Sequence, residues 1–558
     1  MQNDKFENNL NQTAVAEGIS KETLENLDLG VIETPFVNKE GAPTFRRELA
    51  EQVIQVLTTN TLENTFYVGK DELKEDTVRV LEKMKNKDPE FLAKALVFAR
   101  NEGYLQKVPT MGLAVLSTSD ARGGKEFFKK AFNKIIQTPD NLSEFVRVVK
   151  KENIRKGLGG VALNSVKEWL KNISGYQAVK YSATSTNNRE KFTLRDILKL
   201  ARPKPENKEM EERFGWIVNG WKEVGEQESP TNPQIWALEK IKRSENNEEI
   251  IDLIERAKLP WEAVIPAVKK MNPEIWESLM RQMPYMALLR NINNFSKNGL
   301  LEKDENVEYI VSKLTSQREL EKAKVLPFRL YTAWKAYQSK NKDNSVDSRI
   351  VNALETALEN SFVNIPEIKG SLAIGSDVSG SMSMQVSDKG DTSCREICGV
   401  FTGALLKKSK DKTHVLPFET VVKKENFLAS DSILTNTEKI ARMGGGGTAV
   451  GAPIEHLLKK KIKVDNFIGI TDNEDWAYGR DYFSRYSFLE AWREYKKTIN
   501  PKAKAFLITL APYRDAVAPQ NEKDVHFIYG WNESVLKYIS QNSEDKNSQV
   551  EKIKNIKL

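Results

Sequence analysis

Three separated stretches of this sequence carry oxygen-bearing side chains in an arrangement that can bind a cation. Asp377-Val-Ser379-Gly-Ser381 sets a carboxylate and two hydroxyls at alternate positions, Thr448 follows the run Gly444 to Gly447, and Asp472 ends the apolar run that starts at Phe467. In an extended loop the i, i+2, i+4 spacing turns three side chains to one point, and Gly380 permits the tight curvature this needs. Five oxygen donors, only two of them carboxylates, suit a hard divalent cation such as Mg²⁺ or Mn²⁺ that keeps water or an outside ligand in its remaining positions. The predicted metal ligands are therefore Asp377, Ser379, Ser381, Thr448 and Asp472.

Other chemistries find little support. Ser379 and Ser381 lack a Gly-x-Ser-x-Gly elbow, and the three histidines, His414, His456 and His526, belong to no motif. No Lys-Ser/Thr pair follows the glycine run, so it is not a phosphate-binding loop. Cys394 and Cys398 are the only cysteines. With no histidine beside them they make a poor zinc site, and they read as small core residues on one helix face. The chain is read as non-catalytic.

Such ligands must be held by strand ends. Ser371–Asp377, His414–Phe418, Val464–Thr471, Ala503–Leu510 and Val525–Tyr529 read as buried strands. Arg395–Leu406, Thr437–Arg442, Ala449–Leu458, Tyr486–Tyr495 and Glu533–Ile539 read as the helices between and after them. This alternation predicts a doubly wound α/β domain over residues 365–541, with the donors at the carboxyl ends of its parallel strands. The remaining 542–558 are polar and expected to form a flexible tail.

Upstream, from about Thr44 to Asn364, apolar residues recur at three and four positions, as in Phe45–Leu57, Pro89–Ala99, Leu163–Leu170, Ile235–Ile241 and Val346–Leu358. Proline and glycine breaks separate them at Gly123, Pro139, Gly157 to Gly160, Pro203, Pro260, Pro273 and Pro284. A succession of short helices over residues 36–364 without strand-like alternation predicts an α-helical solenoid of degenerate HEAT-like pairs, preceded by an N-terminal extension at 1–35.

Charge is unevenly spread. The 558 residues carry a net +7, yet Phe91–Met210 holds 23 lysines and arginines against 11 acids, a local +12 that leaves the rest at −5. A concentrated positive field is the footprint of a phosphate-backbone binder. Lys150, Lys151, Arg155, Lys156, Lys180, Arg189, Lys191, Arg195, Lys199 and Arg202 are the candidate nucleic-acid contacts. Trp169, Tyr176, Tyr181 and Phe192 lie among them, Trp169 as core and the others as candidates to stack on bases. The first residues lack the basic-then-apolar pattern of a secretory leader, and no run is long enough to span a membrane, so a cytoplasmic protein is expected. Few histidines and many lysines and asparagines suit a bacterial or phage source.

The order Asp-x-Ser-x-Ser, Thr, Asp at strand and helix ends resembles the metal-ion-dependent adhesion site of von Willebrand A domains. A long helical region, basic in its first half and followed by such a domain, resembles the Ro autoantigen family, whose helical part is the TROVE module. Thr65-Phe-Tyr, Lys156-Gly-Leu-Gly-Gly before Glu168-Trp169, Lys180-Tyr181 and the run from Leu194 to Pro203 are similar to family elements. The resemblance implies a ring of HEAT-like helix pairs joined by the A domain. It further implies small non-coding (Y) RNA on an outer basic surface, single-stranded ends of misfolded RNA in the hole, and a role in RNA quality control or stress survival. Partners on this reading include an exoribonuclease tethered by the RNA and an acidic protein ligand at the metal. The alternatives are a metal-dependent protein-interaction scaffold without RNA binding and, third, a metal-assisted hydrolase.

Overall fold

A computed structural model describes residues 36–37, 43–46, 48–59, 70–151, 154, 157–183, 192–222, 229, 231–339, 346–386, 391–409, 411–472, 475–477, 484–510, 515–518, 522, 524–530, 535–536, 538–540 and 549–558. The 1–35 extension lies outside these residues.

Between Leu49 and Asn360 the described chain is a succession of short helices. Their starts follow local chemistry. Asp88 and Asn272 each accept a bond from a first-turn amide, from Phe91 N and Ile275 N at 2.9 Å, with proline filling the first helical position. Thr193 and Asp196 form a reciprocal capping box on Leu194–Ala201. Several ends are closed by a left-handed Arg202, Lys258 or Lys324 where glycine is usual. A cation there faces the negative end of the helix dipole. Helices pack mainly on neighbours one and two places along the chain, the pattern of a solenoid and not of a single bundle.

After Pro366 the texture becomes α/β. Strands β3 (Leu372–Asp377), β4 (Thr413–Phe418), β5 (Asn466–Thr471), β6 (Lys504–Thr509) and β8 (Val525–Tyr529) form one parallel sheet in the order β4-β3-β5-β6-β8. Every residue of β3 and β5 is buried, so both faces of the sheet centre are covered. The topological switch falls at β3, whose neighbours β4 and β5 lie on either side, and this is where ligands bind in such sheets.

The α/β domain touches both ends of the helical array. At one end, Phe328 and Phe401 stack with ring centroids 6.5 Å apart, and Tyr331 and Lys335 bond Glu396 at 2.8 and 2.5 Å. Lys407 pairs with Glu359. At the other end Tyr529 donates to Glu51 at 3.3 Å, and β2 (Pro43–Arg46), itself paired with β1 (Phe36–Val37), adds to β7 (Asp515–Ala516). The predicted ring is thus closed by contacts on both sides.

Two expectations need correction. Phe45 lies in strand β2 rather than in a helix, which starts only at Leu49, because the four-residue segment Pro43–Arg46 pairs on both sides, with β1 and β7. The tail is not loose throughout: Gln549–Lys554 is a helix packed on Pro89–Asn101. Ile553 is buried there, while Lys94 and Lys134 donate to the carbonyls of Lys554 and Lys557 at 2.8 Å. The signal was short: Val550, Ile553 and Ile556 recur at three positions over barely two helical turns amid lysines and glutamate. Residues 541–548 lie outside the described residues. Among the described residues no helix is long and apolar enough to cross a membrane.

Candidate functional site

Parallel register builds the candidate metal site. Ser376 pairs with Ile470 across β3 and β5, so Asp377 and Thr471 end neighbouring strands at the same edge, and Asp472 follows directly. Thr471 Oγ1 donates to Asp377 Oδ2 at 2.7 Å, and Ser379 N donates to Oδ1 at 2.8 Å. The Ser379 and Ser381 hydroxyls lie 3.3 Å apart. Gly380 N donates to Gly446 O at 3.0 Å, bringing the glycine loop that leads to Thr448 against the serine loop. All five predicted donors are buried, none more than 5 % exposed.

The electrostatics agree with that convergence. Burial pushes the Asp377 carboxyl upward, against the bonds from Ser379 and Thr471 and the nearby Arg395 charge. Burial also lifts the Cys394 thiol to about 12, and the charges of Asp472 and Asp377 both add to the rise, as expected for two carboxylates near one sulfur. Cys394 and Cys398 are unbridged and buried, in keeping with a core role. Among the described residues no three His, Cys, Asp or Glu side chains form a metal-ligating cluster. The set present, two carboxylates and three hydroxyls, is by its chemistry a fit for a hard cation and a misfit for a soft one.

Several neighbours were not foreseen. Arg395 donates to the Ser379 carbonyl at 2.9 Å, and its guanidinium fills the space a side chain at Gly444 would need. Gly444 and Gly445 have φ of 155° and 121°, so both need glycine. A Cβ at Gly447 would come within 2.6 Å of the Trp476 ring. Trp476 and Ala477 donate to the Thr448 carbonyl at 3.1 and 2.9 Å. Asp475, raised to about 7 by burial, accepts from Val450 N and Phe488 N at 2.9 and 2.8 Å and so ties the Thr448 segment to the next helix. The acidic run after Asp472 was the available signal; nothing local marked Arg395.

The candidate RNA contacts fare unevenly. Arg155, Lys156, Arg189 and Lys191 lie outside the described residues, and Lys151 ends the helix Pro139–Lys151 with its side chain undescribed. Lys150, Arg195, Lys199 and Arg202 are exposed. Arg195 and Lys199, at i and i+4 on Leu194–Ala201, share one face, and Arg202 follows as the left-handed cap of that helix. That helix packs on Pro139–Lys151, Gly159–Lys171 and Gly175–Ala183. Lys180 is half-buried and paired with Glu262 at 3.1 Å; burial opposes its charge, but the bond to Glu262 outweighs this and holds its pKa up. Trp169 is core, donating to the Ile136 carbonyl at 2.6 Å, whereas Tyr176 is 41 % exposed.

An array of stacked helices closed by an A-type α/β domain with an oxygen-lined strand edge defines a narrow class of protein. Residues 52–343 match the family model of the TROVE domain, and residues 371–542 match that of the Ro60 vWA domain. The chain belongs to the TROVE-domain family. It is 24 % identical over 466 residues, 73 % of this chain and 71 % of the relative, to the RNA-binding protein RO60 of Caenorhabditis elegans. It is also 24 % identical over 317 residues to the RNA-binding protein RO60 of Deinococcus radiodurans, covering 54 % of this chain and 56 % of that protein. The crystal structure of the Deinococcus radiodurans RO (RSR) protein superposes with a TM-score of 0.67 at 17 % identity, covering 89 % of this chain and all of that one, which shows the shared fold.

Proposed function

We propose that this chain is a non-catalytic RNA-binding protein of the Ro type that works in RNA quality control or stress response. It binds a small non-coding, Y-like RNA on its basic outer surface and accepts single-stranded ends of misfolded RNA in the ring. The RNA-binding unit is residues 36–364 and the metal-binding unit 365–541. The observation that carries the reading is the group of exposed cations Arg195 and Lys199 on one helix and Arg202 at its cap, in contact with the helices bearing Lys150 and Lys180. Spaced cations on adjoining helices match a phosphate backbone better than they match a protein partner, whose surface has no regular charge repeat. The names of the two relatives point the same way.

Asp377, Ser379, Ser381, Thr448 and Asp472 would hold Mg²⁺ or Mn²⁺, offsetting two buried carboxylates. When bound, the ion supplies an open coordination position for an acidic side chain of a partner protein. The residues themselves keep that position ordered: Arg395 holds the serine loop, and Asp475 fixes the segment after Thr448.

Recovery of the protein from cells, with and without ribonuclease treatment, and sequencing of the co-purified nucleic acid tests the proposal. Enrichment of one or a few small structured RNAs, and loss of an associated exoribonuclease after digestion, is the expected result. Partners that survive digestion with no RNA recovered would establish the scaffold reading instead. The protein is expected in the cytoplasm, in the soluble fraction.

A further inference from the structure

Between the C-terminal ends of helices Asn247–Ala257 and Pro273–Gln282 and the helix Gly175–Ala183 lies a cavity of 560 Å³. Its size falls within the roughly 300–1,000 Å³ of sites that enclose small organic ligands. Two aromatic side chains line it. Tyr176 is 41 % exposed, and Trp261 is half-buried. Two exposed cations, Lys258 and Arg281, stand in the same lining with one exposed carboxylate, Glu255, which accepts a bond from the Ser278 hydroxyl at 3.1 Å.

The parts are held in place. Lys258 occupies the left-handed cap of its helix at φ 49°, with its amide bonded to the Ile254 carbonyl. The Arg281 guanidinium lies 4.4 Å from the centroid of the Tyr309 ring and bonds Glu277 and Asn306 at 3.2 and 3.1 Å. The helix that carries Tyr176 also packs on Leu194–Ala201, which bears Arg195 and Lys199. Lys180, one turn from Tyr176 on the same helix, carries its ammonium 5.9 Å from the Tyr176 ring centroid.

Aromatic rings with flanking cations suit one chemical pattern in particular. Every nucleobase has a π-face that stacks on aromatic side chains, and each is flanked by phosphates. We propose that this cavity takes one unpaired nucleobase of a bound RNA strand, stacked on Tyr176 and Trp261, with the adjoining phosphates at Lys258 and Arg281. The Gln282 amide, also in the lining, offers donor and acceptor to the base edge. The inference rests on the RNA-binding reading above and adds to it a site for a base, where the charged face serves only the backbone.

Fluorescence anisotropy of the full chain tests it, with a labelled ten-nucleotide oligouridylate and a strand of the same length made wholly of abasic units. The wild type should bind the oligouridylate about tenfold or more tighter than the abasic strand, and Tyr176→Ala and Trp261→Ala should each lose most of that advantage. Tyr176→Phe should retain it, since the ring is kept. Salt dependence in these variants should match the wild type, because no phosphate contact is removed. If the wild type binds oligouridylate with steep salt dependence and both alanine variants bind equally well, the cavity proposal is overturned and the RNA reading stands. Equal wild-type affinity for intact and abasic strands also overturns it. No binding of either strand ends the RNA reading and this proposal together. Should Trp261→Ala melt early, Tyr176→Ala decides alone, since its exposed ring is not part of the core.

Discussion

The strand edge at Asp377 and the helical face at Arg195 place polar side chains by opposite means. At the strand edge, donors from three distant stretches are fixed by parallel register, by short loops and by buried hydrogen bonds, and each is nearly inaccessible to water. On the helical face the cations are exposed, and each is positioned only by the helix that carries it. On the proposed reading, the first would hold a single small ion and the second would spread charge over a long polymer. In the first, loss of one residue should destroy function; in the second, losses should add in steps.

Single substitution at the strand edge gives the sharpest break in that contrast. Mn²⁺ at a hundredfold its dissociation constant should stabilise the wild-type α/β domain by about 2.7 kcal/mol. Asp377→Ala should abolish the response altogether in thermal unfolding with and without Mn²⁺. A residual shift of wild-type size in that variant would place the ion elsewhere.

Charge reversal at Arg195, Lys199 and Arg202, alone and together, probes the other side. For single-stranded RNA each phosphate contact removed should lower the magnitude of the log–log salt slope by about 0.7. The triple variant should then differ from wild type by about three such steps while keeping its Mn²⁺ response. An all-or-none loss from a single reversal would mean that one contact dominates and that the face is not additive.

The two regions are joined through the docked C-terminal helix, and loosening that joint asks whether they are independent. Ile553→Ala should cost about 2–4 kcal/mol if this segment folds with the rest. Urea unfolding should show the loss, and amide exchange should rise in Pro89–Asn101, against which Ile553 packs. A variant with unchanged exchange there would mean that the helix adds nothing to ring closure.

A smaller effect is expected from pH. Burial, with the charges of Lys504 and Lys552 adding to it, lowers the His526 pKa from 6.5 to about 4, and the ring stacks on Phe506 with centroids 4.9 Å apart. The folded state therefore favours the neutral ring. Its contribution is complete above the unfolded pKa and is lost as pH falls from about 6.5 towards 4. His526→Leu should flatten the acid limb of a stability–pH curve in that window, with the RNA-binding face unaffected.

The contrast also explains what could be read from the sequence. The positions of the candidate metal donors could be read in part, because Asp377 and Asp472 close apolar runs and Thr448 a glycine run, with Ser379 and Ser381 just after Asp377; the register of the neighbouring strands β3 and β5 then sets Asp377 beside the end of β5, which Asp472 follows. Arg395 was not legible, since its role depends on a helix returning over the Ser379 loop. Asp475 lay in a visibly acidic run, but its bonds to Val450 and Phe488 come from tertiary packing. Strand β2 mimicked a helix start, because four residues are too few to separate the two periods. The basic residues could be listed but not arranged. Charge at helical spacing says which face each residue shares, whereas contacts among Pro139–Lys151, Gly175–Ala183 and Leu194–Ala201 decide which faces adjoin. Lys258, Trp261 and Arg281 stood outside the basic segment, so composition gave no reason to connect them with Tyr176.

The central claim is that the helical array engages a phosphate backbone through many separate cations. The most direct measurement is the affinity of the full chain for a single-stranded RNA with a free 3′ end, followed across a series of salt concentrations. The account predicts a linear fall of log affinity with log salt, with a slope magnitude of about 3 or more if five or so phosphates are engaged. Affinity that is absent, or that stays level as salt rises, would contradict it.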